Sequence, residues 1–331
     1  MPIPRVIHLI WLGTRLPPLA WLAVRSLLER AGADRVVLHG NMPELQQDPL
    51  AVNLLSQPNF TLDLSPPKLE NLPSELTREL DALMLQLPTP AMKADLLRLQ
   101  ILWQNGGLYV DTDVIALQPF DELWQLDGVA GLEQVALPAD VVHSRSPLKW
   151  VRAGLLVGAR ELVRRLPNAH QHFQTISHHF DLACNNAVLG FSPQSPVLRR
   201  LLLRIAQMPR KKALELYELG PRLLEAETDN QSIQGLTLLA PAHFFPLAPE
   251  ICGAVLKPRP VTQPRLPDAR TQLVHLYDSV LTRQLGGPLD ARWLLGPGRN
   301  SWLGEWSAPW LPELLRLTAG LPELQTLTAV G

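Results

Sequence analysis

The sequence predicts an α/β fold: a mainly parallel sheet with helices on both faces. Short β-rich apolar runs alternate with amphipathic helical stretches, the order that builds such a sheet. A chain of 331 residues with 46% hydrophobic content is enough for one large domain with a sizeable core, and no fixed-period repeat competes with that reading.

Arg5 to Leu12 is the first strand candidate, followed by Pro17-Pro18 and a helix made amphipathic by Leu19, Leu22, Leu27 and Leu28, which Gly32 ends. RVVLHG (35–40) and FTLDL (60–64) are the next strands. The Pro-punctuated stretch 65–90 is expected to form short surface helices, and a longer helix from about Met92 to Asn105 stops at Gly106-Gly107. LYVDTDV (108–114) follows as a strand. Further strands are expected near Val129 to Leu132, Gly154 to Val157, Leu236 to Leu239 and Leu273 to Leu276, with helices over 196–207 and 211–226 and Pro-rich loops over 241–268. The segment from about 296 to 331, rich in Trp and Leu, is expected to dock on the single domain 1–331 or to form a loop near its site. The Leu-Pro-Glu-Leu at 311 and again at 321 reads as leucine bias.

A net charge of -1 gives no footprint for nucleic acid. Cys184 and Cys252 stand far apart with no ligand-like neighbours, which suits a reducing compartment and argues against structural zinc. No segment reaches the roughly 18 uninterrupted apolar residues of a membrane span, and MPIPRVIHLIWLG has neither the length nor the cleavage site of a signal peptide. The expected location is the cytoplasm, with secretion as an effector the alternative and peripheral membrane contact allowed.

Asp111 and Asp113 carry the first chemical signal. On a strand, alternate side chains share a face, so the two carboxylates form a hard-oxygen site for Mg²⁺ or Mn²⁺ shared with phosphate oxygens. A bare D-x-D arises by chance about once in a chain this long; the context adds specificity. In the helix just before it, Asp95 and Arg98 lie three residues apart on a polar flank, where an isolated pair would be a surface ion pair of little consequence.

The blocks IPRVIHLIWLG and KADLLRLQILWQNGGLYVDTDV resemble the DXD-containing sugar-binding region of glycosyltransferase family 32, shared more distantly with clostridial large glucosylating toxins. Asp95, Arg98, Gly106, Gly107, Tyr109, Asp111 and Asp113 match its compound motif. Looser echoes are CNNAVLGFSPQSPVL (184–198), resembling an Asn-rich turn before a helix, LGP (219–221) and PAHFFPL (241–247).

The resemblance implies a GT-A fold, a Rossmann-like sheet holding a nucleotide sugar, UDP-hexose first and GDP-mannose next, with retention of anomeric configuration. Asp113 would bind the metal and Asp111 the ribose and the metal's waters. Asp95 and Arg98 would hold sugar hydroxyls, Tyr109 would line the donor site, and Trp11 with Leu12 would lie against the nucleobase. Asn185 would stand beside the anomeric carbon. His275, in HLYDS (275–279), takes the place of a C-terminal metal-set His that many relatives follow with Ser-Trp and that here lacks the Trp. Trp302, after GPGRNS, would close over the diphosphate. Implied acceptors are a saccharide, a lipid-linked precursor or a protein side chain.

Other features carry less. GPGRNSW lacks the Lys and Ser/Thr of a P-loop, and RKK (210–212) and His178-His179 read as solvated helix faces. His8 reads as a satisfied core histidine. A non-catalytic sugar-nucleotide-binding scaffold is the alternative from another class.

Overall fold

A computed structural model describes residues 1–137, 141, 144–166, 168–258 and 268–319. The central sheet has the strand order β3-β2-β1-β4-β7-β6-β8, with β1 Val6–Trp11, β2 Arg35–Gly40, β3 Phe60–Asp63, β4 Gly107–Val110, β6 Gly128–Val135, β7 Asp181–Phe191 and β8 Thr237–Leu239. Every pairing is parallel except those of β7, which runs antiparallel to both β4 and β6. A second ladder, β5 Val114–Ala116 against β9 Leu273–His275, is antiparallel.

The sheet is covered on both faces, which is why its first strands read as continuous apolar runs. Ile7, Leu9, Val36, Leu38, Leu108 and Val110 point into one core with α1 (Pro18–Arg30) and α2 (Pro49–Leu55). Ile10, Tyr109, Leu189 and Phe191 point into another with α3 (Ser74–Gln86) and α4 (Pro90–Asn105).

The helix α4 is capped at its start by Thr89, whose hydroxyl accepts from Met92 N–H, and ends on Gly106 at φ 62°. Gly107 follows at φ 95°, and a Cβ there would lie 2.5 Å from the Val6 carbonyl. Only glycine lets the chain leave the helix and enter β4 directly beside β1.

Three expectations change. Gly154 to Val157 is not a strand but the middle of α5 (Pro147–Arg165): a four-residue apolar run has no period of its own, and the apolar residues flanking it recur at helical spacing. The expected turn at Asn185-Asn186 is the middle of β7, whose asparagines are buried and hydrogen bonded. The expected helix 211–226 is two, α8 (Arg210–Ala213) and α9 (Pro221–Thr228), because Pro221 restarts the helix after the Gly220 turn. Between these lie α6 (Ala169–Ile176) and α7 (Pro196–Gln207), the latter as predicted.

The C-terminal helices α10 (Asp278–Leu285), α11 (Ala291–Leu295), α12 (Trp302–Ser307) and α13 (Leu311–Thr318) close over the α1 side. Arg30 donates to the Trp306 carbonyl at 2.9 Å and lies over the Trp310 ring, and Asn53 donates to Glu313 at 2.9 Å. The remainder of the segment expected to dock, 320–331, with the second Leu-Pro-Glu-Leu, lies outside the described residues, as do 259–267 of the Pro-rich loops.

His8 is buried, as read from the sequence: Nδ1 is 2.9 Å from His39 Nε2 and Nε2 is 3.0 Å from the Gly106 carbonyl. Burial pushes His8 down to about 3 and His39 down to about 4, below the value of about 6.5 in an unfolded chain. Between those values the unfolded chain binds more protons than the fold, so stability is full above about pH 6.5 and is lost as pH falls towards 4. In His39→Gln, thermal melts between pH 7 and 4 should fall less steeply than in the parent, by roughly 3 kcal/mol of pH-dependent stability. Parallel profiles would remove the pair from that account.

Candidate active site

Asp111 and Asp113 sit in the connection between β4 and β5, past the end of the strand. Strand alternation is therefore not what brings them together. Asp111 N–H donates to the Ala187 carbonyl at 2.9 Å, which ties the connection to β7. Asp113 is held from the other side: Leu276 N–H donates to its carbonyl at 2.8 Å and Asp278 N–H to its Oδ2 at 2.9 Å. The β5–β9 ladder, pairing Val114 with His275, fixes the imidazole at the same place.

The result is a cluster of Asp111, Asp113 and His275 in which one ligand atom from each lies within 4.8 Å of the others. His275 Nε2 is 3.1 Å from Asp113 Oδ1 and 3.8 Å from Asp111 Oδ2, and its Nδ1 is buried without a hydrogen-bond partner. Orphaned donor-acceptor atoms of this kind are costly unless something else engages them. Two carboxylates and one imidazole fit a divalent cation, and the nitrogen ligand suits Mn²⁺ better than Mg²⁺, which prefers oxygen alone.

Charge couples the cluster. Burial works against ionisation of both aspartates; His275 and the Asp278 N–H nonetheless hold Asp113 below its ordinary value. Asp111 is raised, by burial and by Asp113, against Arg98. Burial opposes the charge on His275, but Asp113 and Asp111 outweigh it and raise the imidazole.

Behind Asp111 lies a polar network. Arg98, 5% exposed, donates to Asp95 Oδ1 at 2.9 Å, to Asp111 Oδ1 at 3.3 Å and to the Asn186 carbonyl at 2.6 Å, and its guanidinium stands 4.4 Å from the Tyr109 ring centre. The Tyr109 hydroxyl donates to Asp111 Oδ1 at 2.5 Å. Asn186 Nδ2 donates to Asp95 Oδ1 at 2.7 Å. Burial opposes the Arg98 charge, but Tyr109, Asp111, Asp95 and Asp113 outweigh that and keep it protonated well above its usual value. The expected surface pair is thus a buried one.

A register shift between Ala130 and Gly131 marks a bulge in β7, and it turns Asn186 towards Asp95 and Arg98. Asn185 points elsewhere: its Oδ1 accepts from Ala187 N–H at 2.7 Å. Two adjacent asparagines on a strand face opposite sides, and which one meets the site is set by a bulge that the sequence does not announce. The LGP turn closes the network, since a Cβ on Gly220 would lie 3.1 Å from the Asp95 carboxylate and 2.5 Å from Asn186 Nδ2.

Tyr277 was not singled out from the sequence. It adopts φ 50°, stands edge-on to His275 at 4.2 Å, and its hydroxyl donates to Glu133 Oε2 at 2.9 Å. A bulky residue in the left-handed region is strained, and such positions cluster at functional sites.

Trp11 ends β1 half-buried, its Nε1 donating to the Arg15 carbonyl at 2.8 Å, with Leu12 partly buried after it. Trp302 is not on an open loop. It begins α12, 4% exposed, edge-on to His170 at 5.3 Å and to Trp306 at 5.9 Å.

Residues 33–128 match the family described as glycosyltransferase sugar-binding region containing DXD motif. Among solved structures, the chain is similar to the PaToxG glycosyltransferase over 68% of its length and 69% of that chain, at 16% identity and a TM-score of 0.44. The glycosyltransferase domain of the YGT toxin aligns over 62% of each chain, at 10% identity and a TM-score of 0.35 when ligand-free, and at 11% and 0.32 when UDP-bound. No curated protein matches in sequence. Asp95, Arg98, Gly106, Gly107, Tyr109, Asp111 and Asp113 all fall inside the matched region, which covers less than a third of the chain.

Proposed function

We propose that the protein is a metal-dependent retaining hexosyltransferase whose reaction centre is Asp111, Asp113 and His275. The single observation that carries this reading is the convergence of those three side chains, one ligand atom from each within 4.8 Å of the others. When bound there, Mn²⁺ supplies Lewis-acid neutralisation of the departing diphosphate.

The chain's own residues do the rest. Asp95 and Asn186 face the donor sugar as acceptors and donors for its hydroxyls, and Arg98 holds Asp95 and Asp111 in place from behind. Tyr109 fixes Asp111 through its hydroxyl. Trp11, at the mouth of β1, offers an indole face for the base. UDP-hexose is the favoured donor, with GDP-mannose next, because the resemblance of the β1 and D-x-D blocks implies it. No carboxylate is assigned as a covalent nucleophile, which favours a front-face transfer in which the departing phosphate helps deprotonate the acceptor. The acceptor is a saccharide, a lipid-linked precursor or a protein side chain, and a cytoplasmic site of action suits the two unpaired cysteines.

Incubation with a panel of nucleotide sugars should release free nucleotide from UDP-hexoses in Mn²⁺, less in Mg²⁺, and none in EDTA. Isothermal titration should show Mn²⁺ binding to the parent and at least tenfold weaker binding to His275→Ala, since one of three protein ligands is lost. Full turnover in EDTA would overturn the metal. Nucleotide-sugar binding with no release from any donor would favour the scaffold.

A further inference from the structure

A histidine that binds a metal ordinarily has its other ring nitrogen hydrogen bonded, and that bond sets the orientation of the ring. His275 lacks it, because Nδ1 is buried without a partner. Two other rings take over that task. Tyr277 stands edge-on to the imidazole at 4.2 Å and 72°, and Phe245 at 5.7 Å and 80°. Phe245 is fixed by the core, 1% exposed, in space that Gly131 leaves free: a Cβ on Gly131 would overlap its ring.

Tyr277 is only partly buried and lies between β9 and α10, at φ 50°. An aromatic residue rarely adopts that conformation. Its carbonyl accepts from Val280 and Leu281 N–H at 2.8 and 3.2 Å, which starts α10. The same turn aims the next N–H, that of Asp278, at Asp113 Oδ2, 2.9 Å away. One strained residue thus serves two members of the cluster, its ring bearing on His275 and its turn on Asp113.

Glu133 holds that ring from the central sheet. The Tyr277 hydroxyl donates to Glu133 Oε2 at 2.9 Å. Glu133 lies two residues after Gly131 on β6, on the strand face that Phe245 packs against. The bond therefore ties the central sheet to the separate β5–β9 ladder that carries His275. Glu133 is in turn offset by Arg160: burial pushes that guanidinium down to about 10, and Glu133 is first among the charges that oppose the shift. Arg160 also pairs with Glu250.

We propose that Glu133 and Tyr277 are positioning residues of the reaction centre: their hydrogen bond locks the Tyr277 ring against His275 and presents Nε2 beside the two aspartates before a divalent cation arrives. An imidazole free to change rotamer must be ordered when the ion binds, and that cost lowers affinity. The inference rests on the assignment of the cation to Asp111, Asp113 and His275, and it gives neither Glu133 nor Tyr277 a contact with substrate.

Isothermal titration of the full chain with Mn²⁺ alone tests it, with thermal melts in EDTA beside each variant. Tyr277→Phe keeps the ring and loses its anchor, whereas Glu133→Ala keeps the tyrosine and loses the acceptor. Each should bind Mn²⁺ about tenfold more weakly. The double variant should bind no more weakly than either, because both changes remove one and the same bond. Glu133→Gln, whose amide oxygen still accepts from the hydroxyl, should recover most of the affinity. Should Glu133→Ala melt lower than the parent, Tyr277→Phe and Glu133→Gln carry the test by themselves. Parental affinity in Tyr277→Phe, or additive losses in the double variant, would overturn the inference. So would a Glu133→Gln as weak as Glu133→Ala, which assigns the effect to charge. A parent that binds no Mn²⁺ removes the cation reading itself, and this inference with it.

Discussion

Asp113→Asn is expected to lower glycosyl transfer at least ~10²-fold, the scale of losing a principal electrostatic contact to a leaving group. The substitution is close to isosteric. Its amide oxygen can still accept from the Asp278 N–H that Oδ2 now receives at 2.9 Å, so the β5–β9 ladder and the position of His275 should persist. What is lost is one negative charge from the three-residue cluster, and with it cation affinity. Turnover with UDP-hexose and Mn²⁺, measured beside circular dichroism, separates chemistry from folding: a native spectrum with the loss in rate is the expected pair. Near-normal transfer would remove Asp113 from the metal.

Arg98→Ala should both unfold more easily and lose transfer. A surface pair contributes under about 1 kcal/mol, but Arg98 is 5% exposed and lies between Asp95, Asp111 and the Asn186 carbonyl. Removing it leaves two carboxylates facing each other with no compensating cation, which costs about 3 to 5 kcal/mol in comparable buried pairs. Urea denaturation should register that loss. Arg98→Lys restores charge without the planar fork that spans the two carboxylates, so it should recover stability in part and transfer hardly at all. An unchanged urea midpoint in Arg98→Ala would return the pair to the surface.

Arg98 also shows where reading the chain alone stops. The spacing of Asp95 and Arg98 puts them together on any helix, and the spacing was legible. Whether they face water depends on what covers that flank, and the cover comes from β7 and the Gly220 turn, far along the chain. The two aspartates were likewise legible as a pair, but for a reason that does not hold here: they lie beyond β4, and their convergence is enforced by Ala187, Leu276 and Asp278.

Local pattern did determine much of the scaffold. Continuous apolar runs gave β1 and β2, the helix expected from about Met92 and stopped at Gly106-Gly107 matches α4 to within two residues, and the D-x-D after that helix marked the candidate site. These features are short-range: a period, a cap or a glycine acts within a few residues of itself. His275 and Asn186 required tertiary structure. His275 reaches Asp113 only because β9 pairs with β5 across 160 intervening residues, and Asn186 displaces Asn185 only because β7 bulges where it crosses β6.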